Sequence, residues 1–224
     1  MKKNSFSDSR LVLANGKYLV LMAALLLGGC SHLETEEEPL AEVVPPKPVE
    51  PVNWEITKQQ RQAINSWELR GRLGIQTEHN GGSLDINWKQ DGDDYVIRLL
   101  APMGQGTYRI HGDKYSASIK MPNGKTRYID QPNQMFNEAL GVSLPLDALK
   151  DWVRGVPASS LKLDYAKWDD KGLLHVVRQE GWHVEMSNHF GETLPMPYKI
   201  YIDREDMPDL DIRLVLRQWM VDSQ

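Results

Sequence analysis

From Trp67 onward the chain alternates apolar and polar residues with a period of two, interrupted about every ten residues by turns rich in Gly, Asn and Asp. Trp67, Leu69, Leu73 and Ile75 alternate with Glu68, Arg70, Arg72 and Gln76, and Leu84, Ile86 and Trp88 alternate with Ser83, Asp85, Asn87 and Lys89. A period of two sends successive side chains to opposite faces of a strand. The pattern therefore predicts a sheet with one apolar face, and connections this short predict antiparallel neighbours. Further strands are expected at 95–100, 107–111, 115–121 and 125–129, and the turns read HNGG, DGDD, PMGQG, HGDK and PNGK.

The alternation pauses once. Residues 134–140 and 145–154 have helical spacing, with Leu146, Leu149, Trp152 and Val153 on one face and Gly155 as a stop. Strands resume at 161–168, 173–179, 182–188, 198–202 and 210–219, and a short amphipathic helix over 54–66 would present Trp54, Ile56, Ala63 and Ile64. The fold class expected is mainly β, an antiparallel sheet of about ten or eleven strands curled into an incomplete barrel, with helices covering an apolar cavity. Eight or more strands have room for one apolar ligand. Candidate lining residues are Trp67, Leu69, Leu84, Ile86, Trp88, Leu99, Leu149 and Trp152. The same residues fit a plain packed core, and periodicity does not separate the two.

The first thirty residues follow different rules. Lys2, Lys3, Arg10 and Lys17 precede an apolar run from Leu19 to Leu27 that ends in Gly28, Gly29 and Cys30. That run is shorter than the roughly 20 residues of a membrane-spanning helix. Residues 1–29 therefore read as an export signal with small residues at its cleavage site. Cys30 is the only cysteine, which excludes an intramolecular disulfide and a multi-cysteine metal site. Leu27-Gly28-Gly29-Cys30 resembles the bacterial lipobox, in which the cysteine is acylated and becomes the first residue of a lipid-held protein. Residues 30–53 are rich in Pro and Glu and read as a solvated tether, leaving 54–224 as one domain.

Cleavage before Cys30 would move the formal charge from -5 to -8, of which the tether carries -5. The body is mildly acidic, with no basic patch in the linear sequence to argue for nucleic acid. Catalytic signatures are equally scarce. Gly104-Gln105-Gly106 has Arg109 where a third glycine would complete a phosphate cradle, and Gly141-Val142-Ser143-Leu144-Pro145 is not a nucleophile elbow. His183 and Glu185 share a strand's polar face without a third ligand at tight spacing, which is ordinary strand patterning. Neither an enzyme nor a metal or cofactor is expected.

The chain resembles the LolB family. The resemblance rests on Cys30, on Leu69-Arg70-Gly71-Arg72-Leu73, on Trp88-Lys89-Gln90 and on Arg98-Leu99-Leu100-Ala101-Pro102-Met103-Gly104. Its most specific segment is Pro145-Leu146-Asp147-Ala148-Leu149-Lys150-Asp151-Trp152-Val153-Arg154-Gly155-Val156-Pro157. The resemblance implies an outer-membrane receptor that accepts acylated lipoproteins from the periplasmic carrier LolA in an apolar cavity. It then inserts them into the inner leaflet of the outer membrane, without a cofactor and as a monomer. Ser31, in place of Asp after the cysteine, implies sorting to the outer membrane. The family's protruding hydrophobic loop, which carries the membrane-insertion role, falls on Pro102, Met103 and Gly104, with Met103 in place of the usual Leu.

Two other classes remain open from the residues. A lipid-held protein that tethers a partner would have its hollow filled by Trp and Leu, and a periplasmic hydrolase would have a polar cleft around His183 and Glu185. A receptor would open an apolar hollow beside PMGQG, where a large apolar side chain sits in a turn.

Overall fold

Each alternating run becomes a strand, because an apolar face needs a partner and a short polar turn supplies the nearest one. The computed structural model describes residues 48–221. The expected export signal, Cys30 and most of the tether lie outside the described residues. Helix α1 spans Trp54–Gln62 and is followed by β1 (Ser66–Gln76), β2 (Gly81–Asp91), β3 (Asp94–Leu100), β4 (Thr107–Gly112), β5 (Ala117–Lys120) and β6 (Thr126–Ile129). Helices α2 (Met135–Leu140) and α3 (Leu146–Val153) separate these from β7 (Tyr165–Trp168), β8 (Leu174–Gln179), β9 (Trp182–Ser187), β10 (Lys199–Arg204) and β11 (Met207–Val221).

All eleven strands form one antiparallel sheet in the order β6-β5-β4-β3-β2-β1-β11-β10-β9-β8-β7. The edges β6 and β7 do not pair, so the barrel is incomplete. The two meanders join through β1 and β11, from Trp67 opposite Val221 to Gln76 opposite Asp211. A bulge interrupts this ladder between Arg70 and Gly71, where Arg217 is the extra residue. Gly71 is required there, since a Cβ would stand 2.2 Å from the Val215 carbonyl oxygen.

The inner face and the helices share one core. Leu69, Leu73, Ile86, Trp88, Ile97 and Leu99 meet Phe136, Leu146, Leu149, Trp152 and Val153 in a single cluster. Helix α3 is fastened to β8 by a buried amide. Trp152 Nε1–H donates to Gln179 Oε1 at 3.1 Å, the Ala158 amide donates to the same oxygen at 2.8 Å, and Gln179 Nε2 donates to the carbonyls of Ala158 and Leu161.

Three expectations are corrected. Helix α1 buries Trp54 and Arg61, one face of the helix at positions seven apart, and leaves Ile56 59% exposed. Arg61 lies inside because its Nη1 donates to the Gly155 carbonyl at 2.7 Å and its Nη2 donates to that of Pro195. The strand expected from 115 begins at Ala117, because the Asp113 carboxylate accepts the amides of Tyr115 and Ser116 and turns the chain. The strand expected from 161 begins at Tyr165, since the Leu161 carbonyl is taken by Gln179 and the Lys162 amide by Glu180.

Candidate functional site

The connection between β3 and β4 is built around Met103. Ala101 N–H donates to the Gly106 carbonyl at 3.0 Å and Gln105 N–H to that of Pro102 at 3.2 Å, closing a single 3-10 turn over Pro102–Gly104. Pro102 opens the turn, as its fixed φ allows. Met103 sits in the left-handed region at φ 53°, ψ 29°, with its side chain 98% exposed. No neighbouring loop covers it. Leu100, the last residue of β3, is itself 42% exposed. The turn following β5 supports the loop from one side, for a Cβ on Gly106 would stand 2.4 Å from Pro122.

The eight candidate lining residues all reach the inner face. Trp67, Leu69, Ile86, Trp88, Leu99, Leu149 and Trp152 are 0–2% exposed, and Leu84 is half-buried against the same cluster. Trp67 packs at 5.0 Å from Trp88 and 5.1 Å from Trp219, centroid to centroid. Trp88 Nε1–H donates to Gln90 Oε1 at 3.0 Å, which satisfies its one polar group. These side chains fill the inner face of the described domain.

His183 keeps its carboxylate company on the outer face of β9. Its Nδ1 lies 2.9 Å from Asp203 Oδ2 and its Nε2 3.7 Å from Glu185 Oε1. Among the described residues no group of three or more His, Cys, Asp or Glu is arranged to hold a metal ion. Burial and the Arg61 charge lower the His189 pKa to about 4, and burial lowers that of Arg61 to about 10. Trp168 packs edge-on against Trp54 at 5.7 Å.

One feature of the outer face escapes a linear reading. Arg70 stands opposite Asn87, Asn87 opposite Arg98, Arg98 opposite Arg109, and Arg109 opposite Lys120, so five neighbouring strands carry one cross-strand row. The body shows no basic patch in sequence, yet the sheet assembles one. The signal was present as spacing: positions 87, 98, 109 and 120 recur every eleven residues, which a regular meander turns into neighbours. At the bulge the row borders a recess of about 390 Å³ lined by Arg70, Asp85, Asn87, Leu100, Arg217 and Gln218 among others.

A family model described as outer membrane lipoprotein LolB matches residues 65–219. The protein named outer-membrane lipoprotein LolB from Pseudomonas fluorescens is 30% identical over 206 residues, 91% of this chain and 95% of that protein. Its namesake from Cellvibrio japonicus is 31% identical over 176 residues, 76% of this chain and 85% of that one. Among solved structures, a LolA superfamily protein from Nitrosomonas europaea is similar with a TM-score of 0.48 at 10% identity, over 76% of this chain and 92% of that one. With a match that runs from the start of the first strand into the last, this chain belongs to the LolB family of outer-membrane lipoproteins.

Proposed function

We propose that this chain is an outer-membrane receptor that takes acylated lipoproteins from the periplasmic carrier LolA and inserts them into the inner leaflet. Its family consists of outer-membrane lipoproteins of the localisation pathway, which are not enzymes. In this reading residues 1–29 are the signal removed on export, Cys30 carries the acyl chains that hold the protein to the membrane, and 30–53 tether a single domain at 54–224. Each methylene of an anchoring chain contributes about 0.8 kcal/mol, so two or more chains hold stably where one is marginal. The transfer needs no cofactor, and a monomer suffices.

The observation that carries the reading is Met103, 98% exposed at the tip of a loop whose backbone holds it outward. Removing such a side chain from water is worth roughly 1.5–3 kcal/mol. The outer-membrane inner leaflet is the apolar phase it would meet. Acyl chains released by the carrier would be received on the inner face, where Trp67, Leu69, Leu84, Ile86, Trp88, Leu99, Leu149 and Trp152 offer only apolar contacts. Exchanging one apolar contact for another changes little free energy, so the cost of parting α3 from the sheet lies mainly in the Trp152–Gln179 hydrogen bond, which the entering chains must offset. Direction follows from differential affinity, receptor above carrier and membrane above receptor.

Incorporation of a labelled lipoprotein into liposomes tests the loop. Met103→Leu is expected to preserve it, and Met103→Glu to lower it by about tenfold or more, the factor that loss of 1.4 kcal/mol or more produces. Undiminished incorporation by Met103→Glu rejects the loop's role. The filled inner face favours a second reading, a lipoprotein that tethers a partner and takes up no acyl chain. A label that stays on the carrier when wild-type protein is added selects that reading.

A further inference from the structure

The row of cations on the outer face is unusual for a sheet, because like charges directly opposite one another on neighbouring strands repel. Arg98 and Arg109 form one such pair, Arg109 and Lys120 the next. Neighbouring carboxylates do not neutralise them. Glu68 is engaged with Arg70 at 2.8 Å, and Asp85 lies 4.0 Å from Arg72. The side chains of Arg98, Arg109, Lys120 and Arg217 have no hydrogen-bond or ion-pair partner among the described residues, and all four are exposed. With strands about 4.8 Å apart, the unpaired stretch from Arg98 to Lys120 extends about 10 Å. A protein with a net formal charge of -5 has thus collected free positive charge along one line.

We propose that this row is a docking surface for the phosphate layer of an anionic phospholipid membrane. Its position decides the occupant. Arg98 precedes the exposed Leu100 by two residues, about 7 Å of strand, and Met103 follows three residues later. Apolar groups of an interfacial element reach about 5–10 Å into the boundary between headgroups and acyl chains. When Met103 occupies that boundary, Arg98 and Arg109 therefore arrive at the level of the phosphates. Lys125, exposed on the turn that supports the loop, adds charge on the same side. The recess between Arg70, Arg217, Asn87 and Leu100 gives one headgroup a seat, with Asp85 as its single carboxylate. The surface orients the domain so that its loop enters the leaflet and does not merely touch it. This orientation rests on the reading of Met103 as the membrane contact, whereas the charge-dependent binding does not.

The chain from Ser31 onward, which lacks Cys30 but keeps the whole compact unit of residues 46–224, is sedimented with vesicles. One set is phosphatidylcholine alone and the other is equimolar phosphatidylcholine and phosphatidylglycerol. Binding is expected to favour the second set and to weaken with salt. Arg98→Glu with Arg109→Glu is expected to weaken it about tenfold or more, and Arg98→Lys with Arg109→Lys to preserve it, since a headgroup layer reads charge. Met103→Ser, which removes the apolar group without adding charge, should lower binding to both sets alike and keep their ratio, so failure of the loop reading and failure of the row are told apart. Equal binding to the two sets, or unchanged binding by the Glu pair, overturns the proposal. So does full competition by soluble glycerol phosphate at equal phosphate concentration, which would mark a site for a free anion. Loss of lipoprotein transfer from the carrier by the Glu pair, with vesicle binding intact, overturns it in favour of an acidic protein surface.

Discussion

Met103 occupies a backbone conformation that disfavours it, and three residues around it show how side-chain chemistry was and was not readable. A left-handed residue other than glycine costs about 1–2 kcal/mol, and Met103 keeps that strain with φ at 53° while 98% exposed. Met103→Gly removes the strain, so the thermal midpoint should not fall although lipoprotein incorporation does. A stability measurement beside the transfer assay checks both halves. Pro102 and Gly104 announced the turn in sequence, but the sign of φ at Met103 depends on how Ala101 and Gly106 close around it. Arg61 was not legible at all, since it sits among polar residues and is buried only because the Gly155 and Pro195 carbonyls need a donor. Arg61→Met leaves those carbonyls unpaired and should cost about 2–5 kcal/mol in urea unfolding. His189 stays neutral in the fold because burial and Arg61 lower its pKa from 6.5 to about 4. Below pH 6.5 the unfolded chain gains a proton that the folded one refuses. Stability is therefore complete above that pH and is lost as it falls toward about 4. His189→Gln should flatten this decline in urea midpoints measured across the same range.

At the scale of elements, the period-two pattern and the turn residues were enough to expect the sheet, because strands with an apolar face have few other ways to be stable. Every strand was anticipated, as were α2 and α3. Strand ends were not, since they are decided by side chains of other segments, such as Asp113 holding the amides of Tyr115 and Ser116. Gln179 ends β8, as its place in the alternation leads one to expect, but its side chain is also the clamp between α3 and β8. Gln179→Ala strands Trp152 Nε1 and two backbone groups of Ala158 in the core, and should cost about 2–4 kcal/mol in chemical unfolding. The cationic row predicts the opposite sign. Arg109→Glu replaces two repulsive cross-strand pairs by two attractive ones, and should raise stability by roughly 0.2–1 kcal/mol per pair while weakening vesicle binding. A surface that gains stability when its charge is reversed is held in place by something other than folding.

Over the whole molecule, β1 and β11 join the two meanders, so the last strand completes the sheet that the first one begins. The helices lie across the inner face, and α3 is the one whose clamp to the sheet is buried, through Trp152 and Gln179, whereas α2 is tied to β6 by the exposed Arg127–Glu138 pair. If acyl chains enter by parting α3 from the sheet, its amides over Leu146–Val153 should exchange with solvent before those of β1 and β11, and ahead of global unfolding. Exchange of α3 only together with the central strands would show that the inner face stays closed. The sequence by itself determined the sheet, its inward residues and the exposed loop, because alternation and turn chemistry act over neighbours in the chain. Only the tertiary structure decided which residues of different strands stand side by side. Register gathers Arg98, Arg109 and Lys120 into one row, the bulge at Gly71 shapes the recess beside it, and long-range carbonyls draw Arg61 inside. Those are contacts between segments far apart in sequence, where local pattern has no hold.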